Sequence, residues 1–155
     1  TRVSELTRHA GDIPRRIVIA FNTVLAKGAG IVVAQKEGAP HFRQEVSANA
    51  VFAGSPLAAA STSRNIVAPL TEAPVYLNQP FAPPGELDLH RKWNWAATIP
   101  GETLPGAPLP DWDQDFDGRP RAPNAIGAYG DGGAIPGWFP QLERKPGATQ
   151  PAPGG

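Results

Sequence analysis

Four carboxylates stand at alternate positions in Asp111-Trp112-Asp113-Gln114-Asp115-Phe116-Asp117-Gly118. Such a run suits calcium, which takes roughly six to eight oxygen ligands, often from Asp in a Gly-containing loop. In an extended strand Asp111, Asp113, Asp115 and Asp117 would share one face and repel each other unless a cation lay between them. The Glu that closes an EF-hand-type loop is missing, and Ala122 stands in its place. The plainer alternative is a solvated loop in which one or two of these Asp bond local backbone or Arg119 and Arg121. Calcium is the one cofactor the run admits, and none is required.

Asp88, His90, Arg91 and Lys92 form the only close grouping of acid, base and cation. His9 and His41 share no ligand spacing with it, and all three histidines read as surface or internally satisfied. Ser55, Ser61 and Ser63 lack the strand-to-helix elbow that activates a serine. Thr1 would be an N-terminal nucleophile only if its own amine served as base, and ordinary proteolysis explains that start more simply. No catalytic residue is assigned. Trp93, Trp95, Trp112 and Trp138 lie among Pro and Gly. Their rings can stack on sugars, or they can anchor a segment without regular structure by burying large apolar area.

The elements that would position these groups show a repeat. Ile19-Ala20-Phe21-Asn22-Thr23-Val24-Leu25-Ala26 matches Val46-Ser47-Ala48-Asn49-Ala50-Val51-Phe52-Ala53, with the two Asn 27 residues apart. A fixed offset in the range of about 20–50 residues marks repeated units that bury their apolar faces by stacking. Alternating apolar residues predict strands over Ile17–Leu25, Ile31–Ala34 and Val46–Phe52, with a weaker one over Asn65–Ala68. Lys27-Gly28-Ala29-Gly30 and Gly54-Ser55-Pro56 read as turns, and 36–43 as a loop. Asn22 and Asn49 fit the bends between strands, because Asn tolerates the left-handed backbone region and its amide both donates and accepts. Stacked at the same bend, such amides can form a ladder.

Composition divides the chain. Its 155 residues include 17 Gly and 19 Pro. The stretch 15–60 looks globular, whereas Pro crowds 68–155, which predicts irregular backbone laid on a surface. Formal net charge is zero, so nothing draws the chain to nucleic acid or an anionic membrane. No apolar run approaches the roughly 20 residues that span a bilayer. The absence of Cys removes disulfides and thiolate metal sites. The absence of Met fits a processed product or a fragment of a longer protein.

The strand-Asn-strand repeats resemble coils of the right-handed parallel β-helix proteins. Asp115-Phe116-Asp117-Gly118-Arg119-Pro120-Arg121, followed by Ala125-Ile126-Gly127-Ala128-Tyr129, is similar to the Asp-x-Asp-Gly-x-Pro-Arg…Asp-Ile-Gly-Ala-Tyr-Glu tail that ends many secreted bacterial members. Ala125 and Gly130 depart from the Asp and Glu of that tail. The resemblance covers roughly 15–57 and 111–130. It implies an all-β fold: a lead-in segment over 1–14, the last coils of a right-handed parallel β-helix over 15–70, an irregular Pro/Gly-rich capping tail over 71–145, and a flexible end over 146–155. In the cap, Arg119 and Arg121 would bond carbonyls of the last coil, and Ile126 and Tyr129 would bury against it.

The fold hosts lyases, hydrolases, epimerases, adhesins and inert scaffolds, so it does not fix activity. A lyase of this fold needs a base and a cation to neutralise a uronate. Asp88 and Arg91 suit those roles by type, but they lie in the tail rather than on central coils. The first expectation is therefore a non-catalytic C-terminal portion of an extracellular or cell-surface β-helix protein, acting as scaffold or glycan-binding element. One alternative is the end of a polysaccharide-active enzyme whose active site lies in upstream coils. The other is a processed subunit of a larger assembly, docking through β-edge and tail. The partners implied are upstream coils of the same parent or a second chain, with polysaccharide as a further candidate, and no nucleic acid and no membrane span.

Overall fold

A computed structural model of the chain describes residues 2–3, 17–33, 44–92, 113–122, 125–129 and 140. The described residues are mainly strands. In chain order these are β1 (Arg2–Val3), β2 (Ile17–Ala20), β3 (Thr23–Val33), β4 (Gln44–Ser47), β5 (Ala50–Ala58), β6 (Thr62–Ser63) and β7 (Ile66–Ala68). They build two parallel sheets, one in the order β1-β3-β5-β7 and one in the order β2-β4-β6. The all-β reading therefore holds, with parallel pairing throughout these two sheets.

The expected strands over Ile17–Leu25 and Val46–Phe52 each break in two. The chain turns from β2 to β3 at Phe21-Asn22 and from β4 to β5 at Ala48-Asn49, then makes a third turn from β6 to β7 at Arg64-Asn65. The left-handed residue at each turn is the one before the Asn: Phe21 has φ 56°, Ala48 54° and Arg64 53°. The Asn side chain thus contributes hydrogen bonds at the bend, while its neighbour takes the unfavourable backbone. A non-Gly residue held there costs about 1–3 kcal/mol, so the surrounding contacts must over-determine each bend.

Neither Gly-containing segment is a turn. Lys27–Gly30 lies inside β3, where the pairing with β5 shifts register between Ala26 and Ala29, and Gly54–Pro56 lies inside β5. The glycines serve close approach of the two strands. A Cβ on Gly30 would lie 2.5 Å from Val51 Cγ1, and one on Gly54 would lie 2.6 Å from the Lys27 carbonyl oxygen.

Register aligns the layers residue for residue. Ile19 pairs with Val46 and Val46 with Thr62 in one sheet. Val24 pairs with Val51 and Val51 with Val67 in the other. One apolar cluster draws on both sheets: Ile31, Val33, Val46, Val51 and Ala53 are buried, with Ile17, Ile19 and Val24 against them. The opposite side of β5 feeds a second cluster of Ala50, Phe52, Ala68, Ala73, Leu77 and Ile126. Because β5 is covered on both faces, Ala50-Val51-Phe52-Ala53 is continuously apolar, as parallel strands buried on both sides are. Burying Phe52 alone stabilises the fold by about 2–3 kcal/mol.

Beyond β7 the backbone is more regular than composition suggested. A 3-10 turn (Leu70–Glu72) runs into a one-turn helix α1 (Ala73–Tyr76), with Pro74 in its first turn. Next comes an antiparallel pair, β8 (Leu77–Gln79) with β9 (Asp88–Arg91). Ala73, Leu77 and Ile126 carry this second half onto the face around Phe52. The lead-in segment contributes a strand as well, since Arg2–Val3 pairs with Val32–Val33.

Candidate functional site

Two polar networks lie against the strand layers. The first is a ladder of amides along the three bends. Asn49 Oδ1 accepts from both the backbone N–H and Nδ2 of Asn22, each at 2.9 Å. Asn65 Oδ1 accepts in the same way from Asn49, at 2.9 Å from its backbone N–H and 3.0 Å from Nδ2. Asn49 Nδ2 also reaches the carbonyls of Ile19 and Ser47, both at 2.9 Å, so its two hydrogens serve three acceptors. Asn65 Nδ2 donates to the Val46 carbonyl at 2.8 Å. Asn49 is completely buried. A fully satisfied buried amide fixes one arrangement of the backbone around it, because any other leaves polar groups unpaired.

Asn65 is the ladder member the sequence reading missed. Its offset from Asn49 is 16 residues rather than 27. The signal was present as a shorter pattern: Ala20-x-Asn22-x-Val24, Ser47-x-Asn49-x-Val51 and Ser63-x-Asn65-x-Val67 each set a small residue, Asn and Val two apart.

The second network fastens a loop from the C-terminal half. His90 on β9 sits between two carboxylates, with Nδ1 2.8 Å from Asp88 Oδ1 and Nε2 2.7 Å from Asp117 Oδ2. His90 and the Asp117 side chain are buried. Burial alone would raise the Asp88 pKa. Hydrogen bonds from the His90 backbone N–H, the Asn78 amide and the His90 ring outweigh it and hold Asp88 below the usual carboxylate value. The Tyr129 ring packs 4.4 Å from His90 and 5.3 Å from Phe116. Burial, then the charges of Asp117, Asp88 and Asp115, push the Tyr129 hydroxyl pKa up, so it stays a neutral phenol.

The Asp run is not an extended strand. The chain folds back, with Gln114 bridging Pro120 and Gly118 at φ 79°. Asp115 Oδ1 accepts from the backbone N–H of Asp117 and of Arg119, both at 2.9 Å. Asp117 turns to His90, and Asp113 is exposed. The single acidic face expected of these residues is therefore absent from 113–117. Among the described residues no group of three or more His, Cys, Asp or Glu is arranged to hold a metal ion. Asp111 lies outside the described residues, as do His9, His41 and all four Trp (Trp93, Trp95, Trp112 and Trp138).

Arg121 bonds carbonyls of its own segment rather than of the strand layers: Nη1 donates to the Gly127 oxygen at 2.9 Å and Nη2 to the Gln114 oxygen at 2.8 Å. Its guanidinium also stacks 4.2 Å from the centre of the Phe21 ring at the first bend. Arg119 enters through its backbone, donating to Asp115 Oδ1 and accepting from the Asp115 N–H. Ile126 is buried beside Phe52. The Gly127 N–H donates to the Ala48 carbonyl at 2.8 Å, and the Ala128 N–H to Thr23 Oγ1 at 3.0 Å. The tail motif thus docks along the bends that carry the ladder. Gly127 is required there twice over, by its φ of 84° and because a Cβ would fall 2.8 Å from Thr23 Oγ1.

No protein-family model, no curated protein and no solved structure matches this chain.

Proposed function

We propose that this chain is the end portion of a right-handed parallel β-helix and acts as a non-catalytic scaffold element of an extracellular protein. The observation that carries the reading is the Asn22–Asn49–Asn65 ladder, which ties three parallel layers in register through the same bend. Repeated strand-bend-strand layers joined by identical side-chain bonds are what a solenoid requires.

The two edges of the stack differ in a way that supports this. On one edge β6 and β7 have two and three residues, and Pro69 follows at once. Short strands and Pro are the usual means of blunting an edge. On the other edge β2 has four residues and β3 eleven. Among the described residues β2 pairs only with β4, and β3 meets β1 only at Val32–Val33. The ladder is also open there, since no described donor reaches Asn22 Oδ1. That edge takes a further parallel layer, from upstream coils of the same parent or from a partner chain. Within the acid-base grouping, Asp88 and His90 are bonded to each other, and His90 to Asp117, within the cap.

The test is the intact mass and assembly state of the protein from its native source. A larger single chain, or a stable complex that contains this one, is the expected result. A monodisperse monomer with the mass of these 155 residues contradicts the reading.

A further inference from the structure

We propose that the parent chain's own segment before Thr1 covers the open edge of β2 and β3. That segment carries an asparagine nine or ten residues before Arg2, whose backbone N–H and Nδ2 donate to Asn22 Oδ1. The proposal rests on reading the chain as the end portion of a β-helix, and it names the layer that completes the edge.

The ladder has a direction. Asn22 donates its backbone N–H and Nδ2 to Asn49 Oδ1, and Asn49 donates the same two groups to Asn65 Oδ1. Each layer therefore donates to the next one along the chain and accepts from the one before. Asn22 Oδ1 is the ladder oxygen that no described donor reaches. A backbone N–H and an Nδ2 from a preceding layer are the groups that fit it. The residues around Asn22 have the same unfinished form. Ile19, Thr23 and Val24 are only partly covered, whereas their register partners Val46, Ala50 and Val51 are buried. Asn22 itself is exposed, and Asn49 is buried. One further layer gives the first bend the cover that the second already has.

Register identifies the occupant. β1 runs parallel to β3, with Arg2 beside Val32 and Val3 beside Val33. A strand continued backward from Arg2 in this register runs beside β3 toward Thr23. Among the described residues no strand pairs with Thr23–Ala29 on that side. A strand from another chain would have to displace β1 or stop short of it, whereas the parent's own backbone is already there. The pairs also fix the count. Asn22 lies ten residues before Val32, the partner of Arg2. In the next layer Asn49 lies nine residues before Ala58, the partner of Val32. The difference is the register shift between Ala26 and Ala29, where β3 holds one residue more than β5. A preceding layer shaped like β3 sets its asparagine ten residues before Arg2, and one shaped like β5 sets it nine before.

The layers already formed set the rest of the segment. Ala20, Ser47 and Ser63 stand two residues before the Asn, and Val24, Val51 and Val67 two after it. The upstream asparagine takes the same frame, a small residue before and a β-branched apolar one after. The residue next to it on the N-terminal side adopts the left-handed backbone, as Phe21, Ala48 and Arg64 do. Ile17 lies fifteen residues before Val32, so fifteen residues ahead of Arg2 reach the start of β2 and complete the layer.

The experiment sequences the native protein through the region before Arg2 and follows its backbone hydrogen exchange by mass spectrometry. An asparagine is expected nine or ten residues before Arg2. Peptides covering β2 and β3 should exchange at least about tenfold more slowly in the parent than in the 155-residue chain, because amides on the open side gain partners. Replacing the upstream asparagine by Ala should speed that exchange, and if this variant does not fold, the comparison of the two chains decides. A longer parent with no asparagine at either position overturns the proposal and leaves the end-portion reading standing. Equal exchange in the two chains, or no change on replacement by Ala, overturns it as well. A chain that starts at Thr1 and purifies in a complex gives the layer to a partner, against the proposal. A lone monomer of these 155 residues overturns both readings.

Discussion

The amide ladder and the His90 cluster are both polar networks against the strand layers, but they hold the molecule in different ways. The ladder consists of neutral amides bonded from one layer to the next, and nothing in it titrates. The His90 cluster consists of ionisable groups gathered from elements far apart in sequence. Neutral groups suit a core that must keep one register under all conditions, because an amide is far less costly to bury than a charge. A charged cluster suits a junction that changes with conditions, since removing one charge leaves the others uncompensated. The cap is accordingly fastened by ionisable groups, Asp88 among them, over layers joined by neutral amides.

The sharpest way to break this contrast is to delete the central amide. Asn49→Ala should lower unfolding free energy in chemical denaturation by about 3 kcal/mol or more, because several buried donors and acceptors are orphaned at once. Asn22→Ala, at the exposed open end, should cost no more than about 1 kcal/mol. Equal effects would remove the claim that the ladder is anchored at its middle.

Gly127→Ala probes where the cap touches the layers. Both its φ and the contact with Thr23 Oγ1 oppose a methyl group, so a loss of about 2–3 kcal/mol is expected. Gly118→Ala sits at φ 79° with open space around it and should lose about 1 kcal/mol from backbone strain alone. Thermal melts of the pair separate the docked part of the tail from the free part of the loop.

The smallest effect is the one with the clearest sign. Asp88 has a lowered pKa in the fold. Its contribution is present above the unfolded value of about 3.9 and is lost as pH falls through the lower folded value. Denaturation of Asp88→Asn against the parent should therefore converge at low pH and diverge above it.

Much of the layer architecture was legible because stacking repeats the same demand. Asn22 and Asn49 stood out since the apolar residues around them recur at matching places. Asn65 escaped because the third layer is shorter, so its offset fell outside the period of the first pair. The residue that takes the left-handed backbone at each bend was invisible for another reason. Phe21, Ala48 and Arg64 have nothing in common chemically, and their left-handed backbone is imposed by the bend. The tail motif was legible as a segment that packs, yet the partners of its charged groups were not. Asp88 and His90 are near neighbours in sequence, but Asp117 reaches them only because the loop folds back at Gly118. No spacing rule encodes a contact that depends on such a return. Arg121 likewise bonds its own loop, which has its own orphan carbonyls to satisfy.

The central claim is that amides in register organise the layers, and side-chain hydrogen exchange at Asn49 tests it most directly. The account predicts that the Asn49 Nδ2 hydrogens exchange only with global unfolding, while those of exposed Asn22 exchange orders of magnitude faster. Comparable fast exchange at both positions would contradict it, for then the middle of the ladder would be open to water and the layers would be held by apolar packing alone.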